Sequence, residues 1–329
     1  MRDLLSRYAE AAFWMARYIE RAENLARVLD VNETFSRDSA GGQNWMSVLE
    51  LYDDGERFFE HHDAATAEAV IRFYVLELSN PGSILSTVRM ARENARTLRP
   101  LISTEMWTQL NIFHNKLREL TPEDARKSRL ARLCGFIKEA CQAHTGITEG
   151  TFYRDAGWYF YQMGRNLERA DQTTRLLDAK YHLLLPEAAA VGSPVDASQW
   201  NAVLRSASGY HAFRRIYPSG MEPVAVAGFL MFHESFPRSV AACIDGFHRN
   251  LSELRRRYVP AVGEATAAEV EALRVSLENS EIEQVISQGL HEYIDSVQLK
   301  LISLSNKLGQ DFFGAEVPDG PEIHGAAQA

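Results

Sequence analysis

The dipeptides Glu20-Arg21 and Glu168-Arg169 are the residues of this chain best placed to do chemistry. A carboxylate beside a guanidinium can act as a general acid or base next to an anion holder, or as half of a bidentate ion pair. Both dipeptides sit in one longer pattern. Ile19 to Asp30 reads IERAENLARVLD and Leu167 to Asp178 reads LERADQTTRLLD, a constant offset of 148 with six of twelve positions identical. Arg17/Arg165 and Met15/Met163 extend the match upstream. Helical spacing puts Arg17, Glu20, Arg21, Asn24 and Arg27 in one polar stripe, and Arg165, Glu168, Arg169 and Arg175 repeat it. Aromatics flank both copies: Phe13, Trp14 and Tyr18 in the first, Trp158, Tyr159 and Tyr161 in the second. Such neighbours suit a partly buried stripe. The plainer alternative is an exposed face held by i,i+4 ion pairs of about 0.2–0.5 kcal/mol each.

A second polar set follows the corner Asn80-Pro81-Gly82-Ser83. Arg89, Arg92, Glu93, Arg96 and Arg99 share one helical face, where like charges repel unless something compensates. Compensation could come from Glu20, from other acidic neighbours or from a bound carboxylate or phosphate, which arginine recognises bidentately. Free N–H groups at the helix start suit an anion too. The spacing leads us to expect a cleft lined by Arg17, Glu20, Arg21, Arg92, Glu93 and Arg96. The competing reading is an interhelical network that only fixes register. The later corner, Phe236-Pro237-Arg238-Ser239, is an unfaithful copy, with Arg238 in place of Gly82. An anion site would therefore be asymmetric and centred on the first corner.

Other chemistry finds little support. There is no Gly-x-Ser-x-Gly, P-loop, Gly-x-Gly-x-x-Gly or His-Glu-x-x-His. Glu20 and Glu168 could bridge a helical di-iron site only with Glu-x-x-His partners, and none is in register. His61-His62 cannot both point one way on a helix, and Ser83 or Ser239 with His233 lacks a third group. No metal and no cofactor is expected. The net charge of −9 argues against nucleic acid. Cys134, Cys141 and Cys243 match no zinc spacing and read as buried apolar residues in a reducing compartment. No stretch approaches the roughly 20 apolar residues of a membrane span, so the expectation is a soluble, cytoplasmic protein.

The elements that must position these residues read as helices throughout: Leu4–Phe35, Asn44–His61, Thr66–Leu78, Ser83–Leu98, Thr104–Leu120, Pro122–His144, Thr151–Leu183, Trp200–Ile216, Val224–His233, Ser239–Arg257, Thr266–Asn279 and Glu281–Leu308. Thr266 with Glu269 suggests a capping box. Phe73 to Ile84 (FYVLELSNPGSI) and Phe229 to Val240 (FLMFHESFPRSV) give a second recurrence in the same order. The expected fold is all-α, an internally duplicated helical bundle with two pseudo-equivalent halves, 1–145 and 146–313. Residues 184–198 read as a linker-like insertion and 314–329 as a flexible tail.

The stretches LLSRYAEAAFWMARYIERAEN, NPGSILSTVRMARENARTLR and GWYFYQMGRNLERADQTTRLLD, with FPRSV at the second corner, resemble the bacterial alpha-E family, all-helical proteins named for a recurring Glu-Arg motif. The likeness runs from about Leu4 to Leu308. It implies association with circularly permuted ATP-grasp proteins and transglutaminase-like proteins, and it marks Glu20, Arg21, Glu168 and Arg169 as defining residues. It carries no catalytic residues over. The first functional expectation is a non-catalytic companion subunit of a peptide- or amide-bond-forming system, presenting an Arg/Glu-lined site to an anionic or peptide ligand or to a partner. The alternatives are an enzyme using Glu20 or Glu168 as general acid or base, and a purely structural scaffold. A homo-oligomer is compatible with all three.

Overall fold

The computed structural model describes residues 6–38, 45–183, 194–218 and 220–314, and all regular structure among them is helical. The helices are α1 (Ser6–Asp38), α2 (Met46–Leu51), α3 (Gly55–Phe59), α4 (Ala67–Val75), α5 (Ile84–Thr97), α6 (Thr104–Arg118), α7 (Leu130–Thr151), α8 (Ala156–Leu183), α9 (Pro194–Ser206), α10 (Tyr210–Ile216), α11 (Pro223–Phe232), α12 (Val240–Arg257), α13 (Glu264–Glu278), α14 (Ile282–Gln288) and α15 (Leu290–Leu308). No described helix is long and apolar enough to cross a membrane.

The long helices α1 and α8 pack against each other at the centre. Phe13 meets Gly164 and Arg21 meets Glu168, so contacts advance together along both helices and the two run parallel. Small residues permit the approach. Ala9, Ala12, Ala16, Ala22 and Ala26 of α1 are all buried, and a Cβ at Gly164 would lie 2.2 Å from the Phe13 carbonyl oxygen. A close crossing of this kind brings long side chains of one backbone within reach of the other. Helices α5 and α7 cover α1, while α12 and α15 cover α8.

Both proline corners end at a capped helix. Ser83 Oγ accepts from Ser86 N (3.2 Å) at the start of α5, and Ser239 Oγ accepts from Ala242 N (3.1 Å) at the start of α12. At the first corner Asn80 Oδ1 also accepts from Gly82 N, at 2.8 Å. The N–H groups offered there to an anion in the sequence reading are thus partly satisfied from within.

Several helix boundaries differ from the periodic reading. The span 44–61 divides into α2 and α3 around Asp53, at φ 52°. The span 200–216 divides around Ser208, at φ 57°, and 281–308 divides at Gly289, at φ 115°. One left-handed residue ends a helix without disturbing the apolar period on either side. Helix α9 begins at Pro194, inside the expected linker, where proline suits a first helical turn. Residues 184–193, and 315–329 of the expected tail, lie outside the described residues. Thr266 caps nothing: α13 starts at Glu264, and Asp311 accepts from both Thr266 N (3.0 Å) and Thr266 Oγ1 (2.6 Å). Glu269 pairs with Lys307 instead of closing a capping box. The three cysteines are buried and free, as read. Burial pushes their thiols up, that of Cys243 to about 12.

Candidate functional site

The two Glu-Arg motifs bond to each other across the α1–α8 crossing. Glu168 accepts from Arg21 Nε at 2.7 Å and Arg21 Nη2 at 3.1 Å. Arg17 Nε adds a third bond at 2.8 Å, and Gln172 Nε2 a fourth at 3.2 Å. Glu20 accepts from Arg169 Nε at 3.0 Å and Arg169 Nη2 at 2.8 Å. Its second cation is Arg238, whose Nη1 lies 2.6 Å away. Each glutamate thus takes a two-point bond from the arginine of the other motif and a further guanidinium besides. Glu20 and Glu168 are 2% and 0% exposed, which makes the polar stripes part of the interior.

The two sides of the crossing differ. Arg165 stands where Arg17 stands in the first copy, but it donates to Glu149 (2.8 Å). Arg238, from the second corner, supplies the missing cation to Glu20. Its Nη2 also reaches Glu23 at 3.1 Å, a carboxylate bonded to Arg27 as well. Asn24 Nδ2 donates to the Glu20 backbone oxygen at 3.0 Å and steadies the same turn. At the first corner Gly82 has no side chain to do likewise. Arg175, the counterpart of Arg27 in the repeated motif, donates from Nε to Asp171 Oδ2 at 2.9 Å. Gln172 carries the network outward to the Tyr52 hydroxyl, 3.5 Å away.

Electrostatics keep both central carboxylates ionised. Burial pushes the Glu20 carboxyl up, but Arg169 and Arg238 outweigh it and hold it well below the usual carboxylate range. Burial acts the same way on Glu168, and Arg21 and Arg17 outweigh it. A carboxylate so held, with its oxygens filled by guanidinium N–H groups, is a weak base and has no proton to give. The geometry therefore disfavours Glu20 and Glu168 as general acid–base groups. What the arrangement does well is fix one helix against another. It also concentrates positive charge: Arg17, Arg21, Arg27, Arg169, Arg175 and Arg238 face Glu20, Glu23, Glu168 and Asp171.

The α5 stripe keeps other company. Arg92 Nε donates to Asn111 Oδ1 of α6 at 2.7 Å, and Arg92 and Arg96 both pair with Glu93, at 2.9 and 2.6 Å. The Arg92 and Arg99 guanidiniums lie over the Trp107 ring at 5.4 and 5.0 Å, while Arg89 is exposed. Thus Arg17, Glu20, Arg21, Asn24, Glu168 and Arg169 come together, Arg175 borders them, Arg165 turns to Glu149, and Arg92, Glu93 and Arg96 bond to one another and to α6. The sequence reading did not include Glu23, Gln172, Tyr52 or Arg238 among the site residues. Arg238 carried a signal, a charged residue where the other corner has glycine.

A family model described as a predicted alpha-helical domain with a conserved ER motif matches residues 4–313, nearly the whole described bundle. The chain belongs to the Alpha-E family. Two Glu-Arg dipeptides of this chain, Glu20-Arg21 and Glu168-Arg169, form the clamp described above. Two proteins similar to this Alpha-E chain are uncharacterized proteins of Mycobacterium bovis, 24% identical over 302 residues, and of Mycobacterium tuberculosis H37Rv, 23% identical over 302 residues. Each match covers 84% of the chain and 33% of the relative, so the Alpha-E chain spans about a third of their length. No solved structure gives a significant match.

Proposed function

We propose that this protein is a non-catalytic companion subunit of a peptide- or amide-bond-forming system, acting in the cytoplasm beside an ATP-grasp partner and a transglutaminase-like protein. In this reading the bundle is an internal duplication, and its two pseudo-equivalent halves meet at the Glu-Arg clamp. The clamp is structural, and its rim binds. The carrying observation is the excess of guanidinium over carboxylate at the crossing. Arg175 shows it most openly: its side chain is 29% exposed, and among the described residues its terminal nitrogens make no hydrogen bond. Burial pushes the Tyr52 phenol well above its ordinary value, with Arg175, Asp171, Glu168 and Arg21 in electrostatic reach. A neutral hydroxyl near the open terminal nitrogens of Arg175 suits a carboxylate, the group an amide ligase consumes or a partner's acidic side chain offers. Matches that cover a third of longer chains support a role beside further polypeptide.

The test is recovery of partners on tagged wild type and on Arg175→Ala from the native host, read by mass spectrometry. An ATP-grasp protein recovered with wild type, and several-fold depleted with a folded Arg175→Ala, supports the reading. Equal recovery with both removes the rim from the contact. No ATP-grasp protein with either refutes the companion role.

A further inference from the structure

Asp178 closes the second copy of the repeated motif, as Asp30 closes the first. The first is neutralised by a lysine: Lys138 Nζ lies 2.7 Å from Asp30 Oδ2. The second meets an imidazole. His291 Nδ1 of α15 lies 2.7 Å from Asp178 Oδ1 of α8, and His291 Nε2 lies 3.4 Å from Asp295 Oδ2, one turn further along α15. One ligand atom from each of the three residues lies within 4.8 Å of the others.

We propose that Asp178, His291 and Asp295 form a binding site for a divalent transition-metal ion such as Zn2+, which ties α15 to α8. The donor set is one imidazole nitrogen and two carboxylate oxygens. It suits a borderline ion with bonds of about 2.0–2.2 Å better than Ca2+, which seeks six to eight oxygens. Ligand atoms at those bond lengths in a tetrahedron stand about 3.4 Å apart. One ion takes a single imidazole nitrogen: bound at Nδ1 it keeps Asp178 beside it, with that contact opened slightly, and the exposed Asp295 side chain swings from the Nε2 edge to join it. His291 and Asp295 sit at i and i+4, the spacing that points two side chains of a helix the same way. The cluster is open to solvent, with side-chain exposures of 27% for His291, 22% for Asp178 and 51% for Asp295, so water can complete the coordination. Binding requires the imidazole unprotonated. A proton on His291 is released to solvent as the metal–nitrogen bond forms, and affinity rises with pH.

The experiment is titration calorimetry of chelator-treated protein with ZnCl2 at neutral and mildly acidic pH, beside His291→Ala and Asp295→Asn. Asp295 is exposed, so its replacement leaves the fold in place. The expected result is one equivalent bound by wild type, at least tenfold weaker binding in each variant, and weaker binding at acidic pH. No binding by wild type, or equal binding by wild type and both folded variants, overturns the site. A His291 imidazole resonance that titrates unmoved by Zn2+ also overturns it and leaves an imidazolium–carboxylate pair in its place.

Discussion

Arg21 donates to both carboxylate oxygens of Glu168, at 2.7 and 3.1 Å, from a helix 147 residues earlier in the chain. Glu20, its own neighbour in sequence, turns to Arg169 in the same two-point manner. Neither motif is complete alone, and the dipeptide becomes a working pair only when α1 and α8 cross. This explains why acidic and basic residues adjacent in sequence recur at both places. Glu20 and Arg21 project in different directions from α1, and each meets its counterpart on the parallel helix instead.

Removing one central carboxylate leaves buried guanidiniums without an anion. Glu168→Ala and Glu20→Ala are each expected to cost about 3–5 kcal/mol, the range for breaking one side of a buried pair. Urea unfolding followed by circular dichroism measures this. A loss below about 1 kcal/mol would place these residues among solvated surface pairs.

Acid should unfold the protein through these carboxylates. Their folded pKa values are depressed below the ordinary value by the guanidiniums. Depressed groups stabilise the fold above the unfolded pKa, near 4.5, and that contribution is lost as pH falls through the folded value. Stability measured from pH 7 to pH 2 should therefore drop steeply below about 4.5, and Glu168→Gln should reduce the slope there.

A second pH window belongs to His144. It is fully buried, and burial lowers its pKa to about 4. Its Nδ1 lies 3.1 Å from Gln109 Oε1. The unfolded chain takes up this proton near its ordinary 6.5, but the folded chain does not until about 4, so stability falls as pH falls across that interval. His144→Leu should flatten the profile between these values. An unchanged profile would mean that the ring is accessible and titrates normally.

The crossing depends on Gly164. A methyl group there would meet the Phe13 carbonyl oxygen at 2.2 Å, and backbone cannot move aside as a flexible side chain would. Gly164→Ala is expected to destabilise by about 1–3 kcal/mol, although alanine is the better helix former. Thermal melting tests it, and a gain in stability would show that the helices stand further apart.

The all-helical architecture was legible because long apolar periods and proline corners report directly on helices. The clamp's core was legible too, since Glu20, Arg21, Glu168 and Arg169 recur at a fixed offset beside aromatics. What periodicity missed are events at single residues: the left-handed turns at Asp53, Ser208 and Gly289, and Asp311 reaching back to Thr266. Pairing between distant helices was likewise hidden. The face of Arg92 and Arg96 was visible in sequence, but its approach to Asn111 and Trp107 depends on how α6 packs. Arg238 shows the same limit, because its reach to Glu20 is set by where the second corner lands on α8.

The most direct measurement is a double-mutant cycle between Arg21 and Glu168, using Arg21→Met, Glu168→Gln and the double variant in urea unfolding. A reciprocal clamp predicts a coupling of about 1–3 kcal/mol between residues so far apart in sequence. Effects that add to within about 0.5 kcal/mol would contradict it and show that the two motifs act independently.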